Sequence, residues 1–350
     1  MTPERAQRAL DAAASQLGEE LGVDGPALLR ERAQILGISP AGTVSAGGSC
    51  RLLRGRDDQW IALNLSRRSD VELLAAWIAR DWHGAPWDAV AAHLARVDAE
   101  PAVGRAQLLG IPAAVAVEAR HDAVPVRTSR GAHRDRGNRR PVILDCSALW
   151  AGPLCARLLG EQGALVRKIE LVDRPDGARA GDPEFWRRLN GSKQELAVER
   201  HELARLVDGA DVLVTSARPR AVEQLGLDLE QRVRTDGLVW VSITGYGYES
   251  EWRDRVAFGD DAAVAGGLAV AAGGLHSPVF VGDAPADPLS GLHAAQAAAA
   301  CLRHGTGAFV DVSMRDAVAH AVASDGYGAR VQPERIEPER IEPERIEEVA

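Results

Sequence analysis

Several features that would direct a protein to a membrane or a nucleic acid are missing from this chain. Its 350 residues contain no apolar run near the ~20 residues that a membrane-spanning helix needs. The opening stretch, MTPERAQRALDAAASQLGEE, mixes acidic with basic residues, unlike a secretory leader. A formal net charge of −9 disfavours general binding to nucleic acid or to an anionic membrane. We therefore expect a cytoplasmic protein that acts on small molecules.

Cysteine, histidine and aromatic residues are too few or too scattered to define a site. The four cysteines form no C-x-x-C pair, so we expect buried free thiols rather than metal ligands or disulfides. The nine histidines are spread along the chain, and we predict no metal site. Three tyrosines and four phenylalanines provide little information about the substrate.

Two common nucleotide-binding motifs are also missing. No G-x-G-x-x-G opens a helix after a strand, and no G-x-x-x-x-G-K-[ST] occurs anywhere. Any phosphates that the protein binds must therefore be held in another way.

Predicted strands and helices alternate from residue 141 onward. Six short apolar runs bounded by turn residues predict strands: 141–145, 166–170, 211–215, 238–244, 278–282 and 308–313. Five stretches with apolar or small residues at helical spacing lie between them: 151–163, 199–210, 219–227, 260–272 and 287–305. This alternation predicts an α/β fold, with a Rossmann-like, mostly parallel open sheet and helices on both faces.

The stretch VAFGDDAAVAGGL places two adjacent carboxylates, Asp260 and Asp261, at the start of a predicted small-residue helix. A helix N-terminus supplies unpaired backbone N–H groups, and the glycines nearby leave room for a substrate. Such a carboxylate is a candidate nucleophile. The alternative is that one of the two acids simply caps the helix.

Seven blocks in this part of the chain carry a family resemblance. They are residues 142–170 (VILDCSALWAGPLCARLLGEQGALVRKIE), 189–193 (LNGSK), 210–228 (ADVLVTSARPRAVEQLGLD), 238–247 (LVWVSITGYG), 259–268 (GDDAAVAGGL), 287–300 (DPLSGLHAAQAAAA) and 307–317 (GAFVDVSMRDA). In this order they resemble the family III CoA-transferases, the formyl-CoA and carnitine-CoA transferase group that also contains the α-methylacyl-CoA racemases.

The first part of the chain resembles the small α+β domain of the same family, which normally follows the large domain. We therefore predict a permuted order, in which the small domain comes first and a polar linker connects it to the large domain. The alternative for the linker is a basic patch near the CoA phosphates. The predicted divisions are a small domain with a helical N-terminus (1–126), the linker (127–140), a Rossmann-like large domain (141–325) and a disordered PERIE-repeat tail (326–350). The family's interlinked dimers imply a homodimer.

The resemblance implies CoA transfer between an acyl-CoA and a carboxylic acid, with CoA thioesters as substrates and no metal. In the family an aspartate attacks the thioester to form a mixed anhydride, and CoA then returns to form an aspartyl-CoA thioester. That aspartate corresponds to Asp260 or Asp261, and we favour Asp260 because it follows Gly259 and begins the helix.

Two other functions stay open. The first is an acyl-CoA racemase, isomerase or lyase that uses the acid as a base, although Gly259 replaces the histidine of the racemase branch. The second is a CoA-binding subunit without chemistry of its own.

The resemblance also implies which residues hold CoA. The AGP turn and an Arg-Pro pair would lie against the nucleotide or pantetheine, and three cations are candidates for the phosphates. Two glycines after a strand end, and a glycine loop that would cover the acid, complete the set. These residues are Ala151, Gly152, Pro153, Arg218, Pro219, Lys168, Arg179, Lys193, Gly245 and Gly247, with Gly47 and Gly48 in the mobile loop.

Overall fold

A mostly parallel sheet forms the centre of the protein. The computed structural model describes residues 2–116 and 122–324, and in that part of the chain a seven-stranded sheet has the order β4-β10-β9-β8-β5-β6-β7. Neighbouring strands run parallel except β4, which pairs antiparallel with β10. The strands are β4 (Val126–His133), β5 (Val142–Asp145), β6 (Leu165–Leu171), β7 (Gln194–Val198), β8 (Val212–Thr215), β9 (Val239–Thr244) and β10 (Thr306–Ser313). The predicted fold class is confirmed.

A second sheet and the helices complete the fold. The small sheet is antiparallel, with the order β1 (Cys50–Arg54), β2 (Trp60–Asn64) and β3 (Ala113–Val115). The helices are α1 (Pro3–Leu21), α2 (Gly25–Leu36), α3 (Arg68–Glu72), α4 (Leu74–Ile78), α5 (Pro86–Leu94), α6 (Ala99–Leu109), α7 (Ala151–Glu161), α8 (Pro183–Asn190), α9 (Leu203–Asp208), α10 (Pro219–Glu223), α11 (Leu229–Asp236), α12 (Gly259–Ala265), α13 (Leu268–Gly273), α14 (Ala286–Arg303) and α15 (Met314–Ser324). Short 3₁₀ turns occupy Gly177–Ala180 and Arg200–Glu202.

Both faces of the large sheet are buried because its central strands carry mostly apolar side chains on both faces. Val239 and Val241 pack with α7, α14 and α15 on one face, whereas Trp240 between them packs with α9 and α11 on the other. This alternation follows from the two-residue period of a strand. Helices therefore cover both faces, as an open parallel sheet requires.

Three strand assignments differ from the sequence predictions. Residues 126–133, mostly predicted as linker, form edge strand β4, and the unpredicted β7 forms the opposite edge. Both are largely exposed and polar, as edge strands can be, so the apolar pattern does not reveal them. Residues 278–282 form no strand. Phe280 packs beside α13 and the small sheet, Val279 and Val281 pack against the main core, and the Phe280 N–H donates to the Gly42 carbonyl at 2.9 Å.

Helix α1 packs into the core of the large sheet. Its buried side chains, which include Leu10 and Leu17, share one cluster with α7, α14 and α15. The small sheet has a separate cluster with α4, α5 and α6. The predicted division into domains stays a prediction. Within the predicted small domain, the N-terminal helices belong to the cluster of the large sheet, and the small sheet belongs to the separate cluster. The predicted disordered tail at 326–350 lies outside the described residues.

Among the described helices, none combines the length and the apolar character needed to cross a bilayer. The four cysteines are free thiols, with Cys50 and Cys155 buried and Cys146 and Cys301 partly buried.

Removing the side chain of Leu10 tests how strongly α1 is tied to the main core. Leu10 is fully buried, so Leu10→Ala should lower the free energy of unfolding by about 2–5 kcal/mol. Urea denaturation measures the change. Leu108 on α6 is 90% exposed, and Leu108→Ala should change stability by less than about 0.5 kcal/mol. Equal denaturation midpoints for the two variants would contradict this packing.

Candidate functional site

Asp261 is a buried acid at the start of α12. Its carboxylate accepts the Phe258 N–H at 3.2 Å and the Asn64 side-chain amide at 3.0 Å. The side chain is completely buried, and burial raises the pKa of Asp261 to about 8. Asp261 therefore satisfies one of the free N–H groups at the beginning of the helix and is mainly protonated at neutral pH.

Asp260 lies beside it in a different environment. Its carboxylate accepts the Ala284 N–H at 3.1 Å and a hydrogen bond from the Ser45 side chain. Burial, together with repulsion from Asp283, raises the pKa of Asp260 to about 6. The residue is 7% exposed, and its carboxyl group is mainly ionised at neutral pH.

Two further acids extend the pair into an acidic cluster, defined as Asp260, Asp261, Asp283 and Asp287. Asp283 is 1% exposed, and neither of its carboxylate oxygens has a hydrogen-bond partner among the described residues. The Asp287 carboxylate accepts the Gly259 N–H, and burial raises its pKa to about 7. The closest cation is Arg32 on α2, whose Nε lies 3.4 Å from Asp283 Oδ2.

The position before Asp260 has no room for a side chain. A Cβ on Gly259 would lie 2.3 Å from Asp287 Oδ2 and 2.4 Å from the Ala284 carbonyl oxygen. A histidine there, as in the racemase branch, would force these groups apart. The packing therefore explains why this chain has glycine at that position.

Segments distant in the sequence meet at the acidic cluster. Helix α2 supplies Arg32, the loop at residues 45–49 supplies Ser45, and the small sheet supplies Asn64. Gly47 lies beside the Arg32 guanidinium, and Gly48 has a φ of +75°, which favours glycine. The predicted mobile loop thus reaches the predicted catalytic acid. Its motion stays a prediction.

Two of the predicted phosphate ligands are buried in an ion network. Lys193 Nζ lies 2.7 Å from Asp145 Oδ2 and 2.9 Å from the Pro153 carbonyl oxygen. Lys168 Nζ lies 2.9 Å from Asp176 Oδ2 and 4.0 Å from Asp145. Both lysine side chains are completely buried, so in this conformation their ammonium groups pair with buried carboxylates rather than face solvent.

The third predicted phosphate ligand, Arg179, is also paired with carboxylates. Its guanidinium contacts Glu170 and, at 2.6 Å, Glu195. The role of these three cations in CoA binding stays a prediction.

The other predicted CoA-binding residues lie near one edge of the large sheet. Ala151, Gly152 and Pro153 begin α7 after β5, Arg218 and Pro219 begin α10 after β8, and Gly245 and Gly247 follow β9. Strands β5, β8 and β9 are consecutive neighbours, so these three turns meet at their carboxyl ends. Arg218 is exposed there, whereas the AGP turn is buried.

Gly152 and Gly245 are required by close packing. A Cβ on Gly152 would lie 2.2 Å from Ser147 Oγ, and one on Gly245 would lie 2.5 Å from Ala257 Cβ. These glycines allow the two turns to approach the neighbouring chain closely.

Several residues of the site were not predicted from the sequence. Asp283 and Asp287 carry a local signal, because GDAPAD concentrates acids just before a helix. Arg32 and Asn64 carry none, since only the tertiary packing brings them to Asp260 and Asp261.

Comparison with known proteins establishes the family. The model of CoA-transferase family III matches residues 141–345, more than half of the sequence. The chain belongs to CoA-transferase family III. The resemblance identified from the sequence blocks is thereby confirmed.

Curated relatives in the family are CoA-transferases. A succinyl-CoA–L-malate CoA-transferase beta subunit of Chloroflexus aurantiacus is 32% identical, over 50% of this chain and 48% of the relative. A succinyl-CoA–D-citramalate CoA-transferase of the same organism is 27% identical over 50% and 48%. Formyl-CoA:oxalate CoA-transferase of Escherichia coli is 29% identical over 50% and 47%. The chain thus spans about half the length of the curated relatives it matches.

Similar solved structures include Rv3272 from M. tuberculosis, with 27% identity, a TM-score of 0.49 and coverage of 58% of this chain and 60% of that one. A CAIB/BAIF family protein from Brucella suis has 22% identity and a TM-score of 0.45, over 55% and 56%.

The buried ion network makes Lys193 important for stability. Lys193→Met leaves the Asp145 carboxylate without its nearest cation, and we expect a loss of about 3–5 kcal/mol in the free energy of unfolding, measured by urea denaturation. The double variant Asp145→Asn, Lys193→Met removes both charges and should recover much of that loss. A Lys193→Met protein as stable as the wild type would contradict the structural role.

The raised pKa of Asp261 predicts a pH dependence. The pKa is 3.8 in an ordinary environment and about 8 in the folded protein. Between these values the folded state keeps a proton that the unfolded state has released. The stability that protonated Asp261 contributes to the folded state is therefore complete below pH 3.8, and it is lost progressively as the pH rises from there through about 8.

Asp261→Asn removes this titration, so its free energy of unfolding should rise relative to the wild type as pH increases from about 4 to 8. Urea denaturation across this range measures the difference. The exposed Asp81 provides the control, because Asp81→Asn should follow the wild-type profile. A constant difference between Asp261→Asn and the wild type would show that Asp261 does not titrate in this range.

Proposed function

We propose that this chain transfers CoA between an acyl-CoA donor and a carboxylic acid acceptor, with Asp260 as the nucleophile. Membership of CoA-transferase family III supports the reaction class. The names of the relatives support CoA thioesters and carboxylic acids as substrate classes. A homodimer and a cytoplasmic location are part of the same proposal.

The different environments of the two neighbouring acids support the assignment of the nucleophile. At neutral pH Asp260, with a pKa of about 6, is mainly ionised, whereas Asp261, with a pKa of about 8, is mainly protonated. Only the ionised carboxylate is an effective nucleophile. Asp260 also retains some exposure, whereas Asp261 is completely enclosed.

The proposed chemistry proceeds through two covalent adducts. An Asp260 oxygen attacks the thioester carbonyl carbon, the C–S bond breaks, and CoA leaves as a thiolate while the acyl group remains as a mixed anhydride. The thiolate attacks the Asp260 carbonyl carbon, releasing the donor acid and leaving an aspartyl-CoA thioester. The acceptor carboxylate attacks that thioester and displaces CoA thiolate. The thiolate then attacks the acceptor's carbonyl carbon in the new anhydride, which yields the acceptor's CoA thioester and restores Asp260.

These adducts hydrolyse unless water is excluded. The closely packed surroundings of Asp260, with the Ala284 backbone on one side and the loop at 45–49 on another, support that requirement. The turns at the carboxyl ends of β5, β8 and β9 offer a surface for the CoA moiety near the edge where such sheets bind ligands. Arg218 is an exposed cation at that edge.

Trapping with hydroxylamine tests the nucleophile. Wild-type protein incubated with succinyl-CoA or formyl-CoA and hydroxylamine should form an aspartyl hydroxamate, which mass spectrometry should locate at Asp260. Asp260→Asn should abolish the adduct and lower turnover about 10³-fold or more. The matched variant Asp261→Asn preserves shape and the nucleophile, so it should still form the adduct. Wild-type turnover in Asp260→Asn, or a hydroxamate at Asp261, would overturn the assignment.

A further inference from the structure

An anionic substrate faces an electrostatic obstacle at the acidic cluster. Asp260 is mainly ionised there at neutral pH, and every carboxylic acid acceptor brings another negative charge. Like charges in a partly buried site repel strongly because little water screens them. A reaction with a carboxylate at Asp260 therefore needs a cation in the site.

Arg32 is that cation. Burial raises the pKa of Asp260, Asp283 and Asp287, and the charge of Arg32 opposes that rise, so Arg32 acts on three members of the cluster. The side chain is 25% exposed, and its guanidinium lies over the Trp150 ring at 5.4 Å from the centroid. The packing against the ring and the approach to Asp283 hold the planar group in one orientation.

Most of the hydrogen-bonding capacity of Arg32 is unused. A guanidinium has five N–H donors. The Nε edge faces Asp283 at 3.4 Å, and neither terminal nitrogen has a hydrogen-bond acceptor among residues 2–116 and 122–324. The terminal edge instead lies beside Gly47, in the loop whose Ser45 donates to Asp260. Two adjacent N–H groups at that edge match the two oxygens of a carboxylate.

The environment of Asp283 also indicates that Arg32 binds a carboxylate. It is 1% exposed, yet its oxygens have no hydrogen-bond donor in the described part of the chain, an arrangement that costs stability without a compensating partner. Arg32 is the cation that compensates it. The acid therefore holds the guanidinium from one side while the other side faces the loop.

We infer that Arg32 binds the carboxylate of the acid acceptor beside Asp260, and that Asp283 is the positioning residue that orients the guanidinium. This inference rests on the proposed CoA transfer. Arg32 offsets the negative charge of the incoming acid before that acid attacks the aspartyl-CoA thioester. The same contact receives the donor acid when it is released, because the two acids occupy equivalent positions in the reaction.

Steady-state kinetics with succinyl-CoA as donor and L-malate as acceptor tests the inference. Arg32→Gln should raise the KM for L-malate about ten- to a hundredfold, the effect of losing a charged hydrogen bond. The hydroxylamine adduct should still form from succinyl-CoA, because the acceptor is not needed for that step. Arg32→Lys, which keeps the charge but loses the planar fork, should lie between the wild type and Arg32→Gln.

Arg30 offers a matched control on the same helix. It pairs with Asp11 rather than with the acidic cluster, so Arg30→Gln should leave the KM for L-malate unchanged. The double variant Arg32→Gln, Asp283→Asn removes both charges of the pair. It should restore any stability lost in Arg32→Gln while the KM stays high, which separates acceptor binding from folding.

A binding measurement without turnover distinguishes this inference from the proposed function. Succinate should raise the Tm of the wild type and of Arg30→Gln, but not that of Arg32→Gln, and uncharged succinamide should have no effect on any of them. Succinate stabilisation retained in Arg32→Gln, or absent from the wild type, would overturn the role of Arg32. Failure of the wild type to form the hydroxylamine adduct would instead overturn the proposed CoA transfer.

Discussion

Burial of carboxylates at the start of α12 is the constraint on which the site depends. A carboxyl group removed from water favours its neutral form, and the structure offsets that cost differently for each acid. Asp261 receives two donors but is completely enclosed, whereas Asp260 keeps a small exposure and lies within the influence of Arg32. The two neighbours therefore differ in pKa by about two units, which gives adjacent acids different protonation states at the same pH.

A second buried network stabilises the sheet that carries the site. Asp145, at the end of β5, is paired with Lys193 and approached by Lys168, and all three side chains are enclosed. These contacts join the end of β5 to β6, to the residue before β7 and to the first turn of α7. Charge pairing of this kind is costly to disrupt on one side alone. The two groups of buried carboxylates thus differ in the cations beside them. Asp145 of the sheet lies beside two lysine ammonium groups, whereas the acidic cluster lies beside the Arg32 guanidinium.

The sequence predicted the α/β class because its central strands are apolar on both faces, a pattern that needs little knowledge of the rest of the chain. It failed at edge strands β4 and β7, where solvent exposure permits polar residues. It also failed at residues 278–282, whose apolar side chains pack without joining a sheet. The acid pair was predictable from its position at the start of a small-residue helix.

The sequence by itself determined the family, the alternation of strands and helices, and the choice of Asp260 and Asp261 as the candidate site. These features are encoded in residues that are close together along the chain. Only the tertiary structure decided that Lys168 and Lys193 pair with buried carboxylates, and that Arg32, Ser45 and Asn64 meet at the acids. The physical reason is that the protonation and contacts of a buried group depend on neighbours that folding brings from almost 200 positions away, as with Asn64 and Asp261.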